Sequence, residues 1–303
     1  MRWLLFLSLC LFGRSVVWAA PPDQYSLNEK AGSFLWHKEY DSAIVYYTIL
    51  QRDFPNFLPI STLYDIALCY LGKKDTAEAE RCLLACLQMD KKKDLPIGST
   101  QISACRTLST LLCGQHAYRA ALSYLDSTKA EKYQPALKEC RGGFGYLADM
   151  DFGYRRSMCY AGLGQTDSAI RELSPQAFYA YPAPLLRRML DSNAFIRISR
   201  SLLSLLDGKY GKEKIRSEMK RGLDSAWYQV TEVPQTNPKL AGLVKAEYSI
   251  GCGFYFFGIP IVLYKGGVIF TKGRDTTIPS YLTRDYFVEE ARKSYTYQEI
   301  MKD

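Results

Sequence analysis

The residues able to do chemistry are few and scattered. In 303 residues there are two histidines, His37 and His116, and nine cysteines. A zinc site gathers three or four His, Cys or carboxylate ligands, usually in closely spaced pairs. Neither histidine has a second histidine or a cysteine pair at such a spacing. Gly251-Cys252-Gly253 is the one segment that looks like a nucleophile in a tight loop. A cysteine nucleophile needs a base to take its proton, and no histidine follows His116. No phosphate-cradling glycine loop, CxxCH haem site or paired-carboxylate motif occurs. The expectation is a protein that is not an enzyme and that carries no cofactor or metal. Cys69, Cys82, Cys86, Cys105, Cys113 and Cys159 all lie in apolar helical patterns, where a thiol serves as a small buried hydrophobe.

The N-terminus is predicted to be a secretory signal peptide, residues 1–19. Arg2 supplies the positive start, Trp3 to Phe12 a short apolar core, and Val17-Trp18-Ala19 a cleavage site with Ala19 last. The core is too short for a spanning helix, which takes about 20 apolar residues. Cys10, in Leu7-Ser8-Leu9-Cys10, lacks the small residue that a lipoprotein signal places before its cysteine. Without Arg2 and Arg14 the excess of basic over acidic residues falls from 8 to 6. That mild charge suits an anionic surface or partner without requiring one, and export argues against nucleic acid. No Asn-x-Ser/Thr sequon is present, which favours a bacterial periplasm or cell envelope over a glycosylating route.

The elements that must position any site follow from a repeated spacing. Ala31 to Pro55 is predicted to form two short helices, roughly Leu27 to His37 and Tyr40 to Asp53, joined at Lys38-Glu39 and stopped by Pro55. Ala31, Phe34, Ala43, Tyr47 and Leu50 form a ladder of small and large residues. Small residues let two helices approach, and large ones fill the space beside them. The ladder returns as Ala67, Tyr70, Ala79, Leu83 and Cys86. It returns again as Ser109, Leu112, Ala121, Leu125 and Thr128, and then as Ser157, Tyr160, Ala169 and Leu173, after which Pro175 is expected to cut the helix. Successive ladders start 36, 42 and 48 residues apart, the mark of a repeat whose linkers lengthen. On this spacing His37 and His116 each sit near a helix–helix turn as surface or capping residues.

Over roughly residues 24–180 the chain resembles the tetratricopeptide repeat family. The carrying motifs are Ala31-x-x-Phe34 with Tyr40-x-x-Ala43-Ile44 and Pro55, Ala67-x-x-Tyr70 with Ala79, Tyr118-x-x-Ala121-Leu122, and Tyr160 with Ala169-Ile170. Units three and four carry Ser where the family prefers Gly or Ala, and the Trp typical near each unit's start is missing. The resemblance implies a mainly α fold, an α-solenoid of antiparallel helix pairs over residues 20–180. It also implies a groove lined by the first helices that takes a peptide or protein partner. The matching groove positions are Asn28, Tyr64, Arg106 and Tyr154, with Tyr25, Leu68 and Asp151 nearby. The Lys/Asn set with which some family members hold a C-terminal carboxylate is not reproduced. Because one repeat's second helix packs on the next repeat's first, Cys86 and Cys105 form a candidate disulfide.

Two linkers punctuate the repeats: Lys91-Lys92-Lys93-Asp94 with Leu95 to Gly98, and Lys129 to Phe144. Residues 181–229 are expected to cap the array with a helical hairpin, one helix from Leu185 to Leu206 ended by Asp207-Gly208, the second from Lys212 to Tyr228. Lys209 to Arg221 holds six basic and two acidic residues, a solvated face or a contact for an anionic membrane or acidic partner. Residues 230–303 form the last segment. Val230 to Lys239 is a linker, and Tyr248 to Tyr264 is uncharged. The preferred expectation there is a β-hairpin turning at Gly266-Gly267, followed by a helix starting near Thr283. The rival is a transmembrane helix over 248–264, about 25 Å long against a hydrocarbon core of about 30 Å, which would make the protein a membrane-anchored envelope component.

Overall fold

One turn geometry recurs four times and sets the helical hairpins. The architecture is that of a computed structural model, which describes residues 23–93, 98–127, 144–178, 192–233, 244–271 and 278–302. The predicted signal peptide, the Lys129 to Phe144 linker up to residue 143, and residues 185–191 of the expected capping helix lie outside those residues. The hairpins pair α1 (Gln24–Trp36) with α2 (Tyr40–Asp53), and α3 (Pro59–Gly72) with α4 (Thr76–Gln88). They continue with α5 (Ser99–Gly114) and α6 (Tyr118–Ser127), then α7 (Phe144–Gly162) and α8 (Thr166–Ala177). The chain divides into two compact units, Met1–Ala104 and Cys105–Asp303, the boundary falling within α5.

In each hairpin one turn residue is left-handed: Lys38, Lys74, His116 and Gly164, with φ of 64°, 65°, 60° and 72°. The next amide reaches back to a carbonyl in the last turn of the first helix. These bonds run from Glu39 to Phe34, Asp75 to Tyr70, Ala117 to Leu112 and Gln165 to Tyr160, at 2.8–2.9 Å. This six-to-one closure satisfies carbonyls that a helix end leaves without partners. The same residues then open the second helix, since Glu39, Asp75, Ala117 and Gln165 accept from Ala43, Ala79, Ala121 and Ala169.

Those four alanines, with Ala31, Ala67, Ser109 and Ser157 on the first helices, are buried. Ser replaces Ala in the third and fourth hairpins without an orphaned hydroxyl. Ser109 Oγ donates to the Arg106 carbonyl at 2.7 Å and Ser157 Oγ to the Tyr154 carbonyl at 2.6 Å, the back-bonding that lets a hydroxyl sit inside a helix. Close approach is enforced elsewhere too. A Cβ on Gly72 would stand 2.2 Å from the Tyr40 ring, and one on Gly162 would stand 2.3 Å from the Tyr118 ring. Pro175 does not cut α8 where expected. The helix runs two residues further, to Ala177, because a proline ring removes one hydrogen bond but its fixed φ still fits a helix.

The second unit adds α9 (Ser192–Tyr210), α10 (Lys212–Asp224) and a three-stranded antiparallel sheet in the order β1 (Trp227–Glu232), β2 (Val244–Phe256), β3 (Ile259–Thr271). It closes with α11 (Arg284–Arg292) and α12 (Tyr295–Met301). Several expectations are corrected here. Asp207-Gly208 does not stop α9, which reaches Tyr210 before Gly211 turns with φ 75°. The expected helix from Lys212 to Tyr228 ends at Asp224, and β1 occupies part of the expected linker. The terminal helix is two helices, capped by Thr283 and Ser294.

Residues 248–264 are two strands rather than a transmembrane helix. Among the described residues no helix is long and apolar enough to cross a membrane. The hairpin turns at Phe257-Gly258, with φ of 51° and 75°, and not at Gly266-Gly267, which lie inside β3. Positive φ at both central residues is the two-residue turn that matches strand twist. One face carries Ile250, Cys252, Phe254 and Phe256 into the core, the period-2 alternation of a half-buried strand. Phe178 meets Phe254 and Phe256 edge-on at 5.6 and 5.2 Å. Each such ring, fully buried, contributes about 1.5–3 kcal/mol.

The C-terminal helices are tied into the same core, which draws on α8, α9, α10, the sheet, α11 and α12. Thr296 Oγ1 donates to the Ala177 carbonyl at 2.6 Å, and Ser199 Oγ lies 2.8 Å from Thr296 Oγ1. With the Thr296 proton committed, Ser199 must be the donor of that second bond. Arg284 caps the end of α10, its Nε and Nη2 donating to the Ala226 and Asp224 carbonyls, both at 2.8 Å.

Gly222 of α10 tests this packing. A Cβ there would stand 2.5 Å from the Tyr255 carbonyl, a main-chain atom, whereas nothing lies within 4 Å of one on Gly114. Gly222→Ala should cost about 1–3 kcal/mol in denaturant unfolding. Gly114→Ala should be neutral or stabilising by up to about 1 kcal/mol. Equal effects would show that the sheet does not rest on α10 this closely.

Candidate functional site

Two of the expected groove residues are brought into direct contact in the second unit. Asp151 Oδ2 accepts from Arg106 Nε at 2.8 Å and from Arg155 Nε at 2.7 Å, and Arg106 Nη2 lies 2.7 Å from it. Arg155 Nη1 also donates to the Arg106 carbonyl at 3.3 Å. One carboxylate thus joins α5 to α7 between two guanidinium groups, leaving the cluster net positive. Burial alone would raise the Asp151 carboxyl, but the bonds and charges of Arg155 and Arg106 hold it below the usual carboxylate range. Arg106 also lies 5.6 Å from the Phe152 ring centre, and Arg197 of α9 lies 4.9 Å from that of Tyr154. The surface is therefore cationic with aromatic faces, and partly exposed.

Arg155 and Arg197 were not anticipated in this surface, nor was the buried Phe152 beneath Arg106. Arg155 stands four residues after Asp151, a helical pairing interval that could have revealed it. Arg197 comes from an element whose placement no local spacing encodes. Arg156, beside them, faces inward. Its guanidinium pairs with Asp126 at 3.2 Å and Glu172 at 3.0 Å, linking α7 to α6 and α8.

In the first unit the expected residues spread along two helices. Tyr25 is 68% exposed and meets Phe57 edge-on at 5.1 Å, and Asn28 follows one turn later, half-buried. Tyr64 and Leu68 sit one turn apart on α3, both half-buried. Between them, Asp65 carries a feature that the sequence did not announce. The Tyr47 hydroxyl of α2 hydrogen-bonds its carboxylate. Burial raises the Asp65 pKa from 3.8 to about 6, partly opposed by that bond. Burial, then the Asp65 charge, pushes the Tyr47 hydroxyl above its ordinary value and the Cys69 thiol up to about 12.

The remaining candidates are structural. Gly251-Cys252-Gly253 is the interior of β2, not a tight loop, and the Trp227 ring covers both glycines. Cys252 is buried, and burial raises its thiol to about 11, which disfavours the thiolate. His37 follows α1 and hydrogen-bonds the Ser33 carbonyl through Nδ1 at 2.8 Å, while His116 Nδ1 meets the Tyr118 hydroxyl at 2.9 Å. Cys86 Sγ lies 3.6 Å from the Ile60 carbonyl and Cys105 Sγ 3.6 Å from Ser127 Oγ, so the expected disulfide between them is not formed. Within the basic run, Lys209 pairs with Asp167, Lys214 and Arg221 pair with Glu218, and Arg216 donates to the Ile300 carbonyl. Four of its six cations are therefore engaged by the fold. A cleft of about 370 Å³ beside that run is lined by Leu203, Ser204, Asp207, Lys212, Ile215, Glu299, Ile300 and Lys302.

No family model matches the chain, and no curated protein matches it significantly.

Asp65 gives the first unit a distinct pH response. A raised carboxyl pKa means that the folded chain binds the proton more tightly than the unfolded chain. Stability should therefore fall by up to about 3 kcal/mol as pH rises from about 4 through 6, then level off. Asp65→Asn, which keeps an acceptor for Tyr47, should stabilise the protein at pH 8 and match wild type near pH 4 in denaturant unfolding. A difference that does not vary with pH would contradict the buried, raised carboxyl.

Proposed function

We propose that the protein is an exported protein-binding scaffold of the cell envelope, built from tetratricopeptide-like repeats, that recognises a peptide or protein partner. The observation that carries this reading is the Arg106–Asp151–Arg155 cluster on the first helices of the third and fourth hairpins. Pairing within the cluster holds long side chains in place at a partly exposed surface. Arginine and aromatic residues so arranged suit the anchoring positions of protein interfaces. The four hairpins with one turn geometry and one pattern of buried small residues support a repeat array. Within the second unit the candidate partner contacts are Arg106, Asp151 and Tyr154; within the first, taken by itself, they are Tyr25, Asn28, Tyr64 and Leu68. The residual positive charge of the cluster favours acidic or carboxylate-bearing partner segments. Export rests on the N-terminal sequence, and the bacterial periplasm on the lack of an Asn-x-Ser/Thr sequon. A scaffold role without catalysis accords with the buried, unactivated Cys252.

Affinity capture of the mature chain from its native envelope tests this reading. Partners captured by the wild type should be lost or reduced at least tenfold when Tyr64 or Arg106 is changed to Ala. The same partners retained unchanged by both variants would place recognition elsewhere.

A further inference from the structure

Cys113 and Cys159 are joined by nothing in the motif pattern, yet their sulfurs lie 3.1 Å apart. They belong to α5 and α7, 46 residues apart in sequence, and both lie in the second unit. Cys159 is fully buried, whereas Cys113, the penultimate residue of α5, is part-exposed. The other described cysteines (Cys69, Cys82, Cys86, Cys105 and Cys252) are buried.

We propose that Cys113 and Cys159 form an oxidation site, a dithiol that an external disulfide, a small molecule or an oxidoreductase, converts into a bond between α5 and α7. The sulfurs must close by about 1 Å to reach a disulfide length of about 2.05 Å. Cys113 is the penultimate residue of α5 and is part-exposed, so it lies at the end of its helix and not in its interior. Exposure and charge assign the order of events. The hydrogen bond with Cys159 lowers the Cys113 pKa against the effect of burial, and the nearby Arg155 charge lowers it further. The same hydrogen bond, together with burial, raises that of Cys159. Cys113 is therefore the attacking thiolate. Its sulfur bonds to one sulfur of the oxidant, whose other sulfur leaves as a thiolate and takes a proton. Cys159 then loses its proton, attacks Cys113 Sγ and expels the second oxidant thiolate, which is protonated in turn. Two protein thiols are oxidised to one disulfide, and one oxidant disulfide is reduced to two thiols.

The test uses the full mature chain in glutathione buffers from fully reduced to fully oxidised, followed by denaturation, alkylation and mass spectrometry of the unreduced digest. Cys113 and Cys159 should become protected together and appear in one linked peptide pair, with both alkylated in the reduced buffer. Thermal unfolding of the oxidised wild type should shift upward by about 5–10 °C. Cys113→Ala/Cys159→Ala should show no shift between buffers. The mass measurement on the wild-type chain stands whether or not that variant folds. Cys113 and Cys159 both alkylated after full oxidation, or either one linked to a different cysteine, overturns the proposal.

Discussion

Two helices can lie close only where their facing residues are small, and this constraint governs the first half of the protein. Ala31 with Ala43, Ala67 with Ala79, Ser109 with Ala121 and Ser157 with Ala169 are buried in four hairpins of the same local form. Close approach is useful only if the turn brings the second helix back at the right angle. The left-handed residue and its six-to-one hydrogen bond do that each time. Three of those turns place Lys or His in a conformation that glycine adopts at lower cost. The turn hydrogen bonds and the packed small residues offset that cost, so the geometry survives a change of residue type. The large residues beside the small ones, Tyr47 and Leu50, Leu83, Leu125 and Leu173, are then buried as a consequence.

The second unit adds a core of another kind to the same helical design. Its sheet lays Ile250, Cys252, Phe254 and Phe256 against helices from both sides of the sequence, and side chains around that core bond main-chain carbonyls. The Ser199–Thr296–Ala177 chain of hydrogen bonds is one example, and the Arg284 cap on α10 is another. A buried hydroxyl or carbonyl without a partner costs about 1–3 kcal/mol, so these bonds specify where α11 and α12 dock. The C-terminal segment thus completes the core of its unit.

Electrostatics separates the two carboxylates near the candidate surfaces. Asp151 sits between two arginines and stays ionised, which holds two cations in place at a partly exposed face. Asp65 has a tyrosine hydroxyl as its neighbour, and burial favours its protonated form. Equal side chains on equivalent first helices therefore respond to pH in opposite senses, because only one is given opposite charges. Cys113 and Cys252 differ in a parallel way. The first shares a hydrogen bond with another thiol near an arginine, while the second is a strand residue packed among apolar groups.

The hairpins were legible in the residues because the signal is local. Spacings of three, four and nine residues place Ala31, Ala43 and Tyr47 on facing helical stripes, and α2 runs from Tyr40 to Asp53 as its pattern predicts. The β-hairpin was legible in kind but not in register, because the pair Phe257-Gly258 turns where Gly266-Gly267 carried the stronger local signal. Arg106, Asp151 and Tyr154 were found as single positions on first helices. Their joining by Arg155 and Arg197, the Tyr47–Asp65 bond and the Cys113–Cys159 contact all depend on which helices pack side by side. In the four hairpins, sequence alone determined where the chain turns and presents its small residues, since those depend on neighbours within one turn. Tertiary structure decided which charges and thiols meet, because residues 45 or 46 apart become neighbours only after the helices have packed.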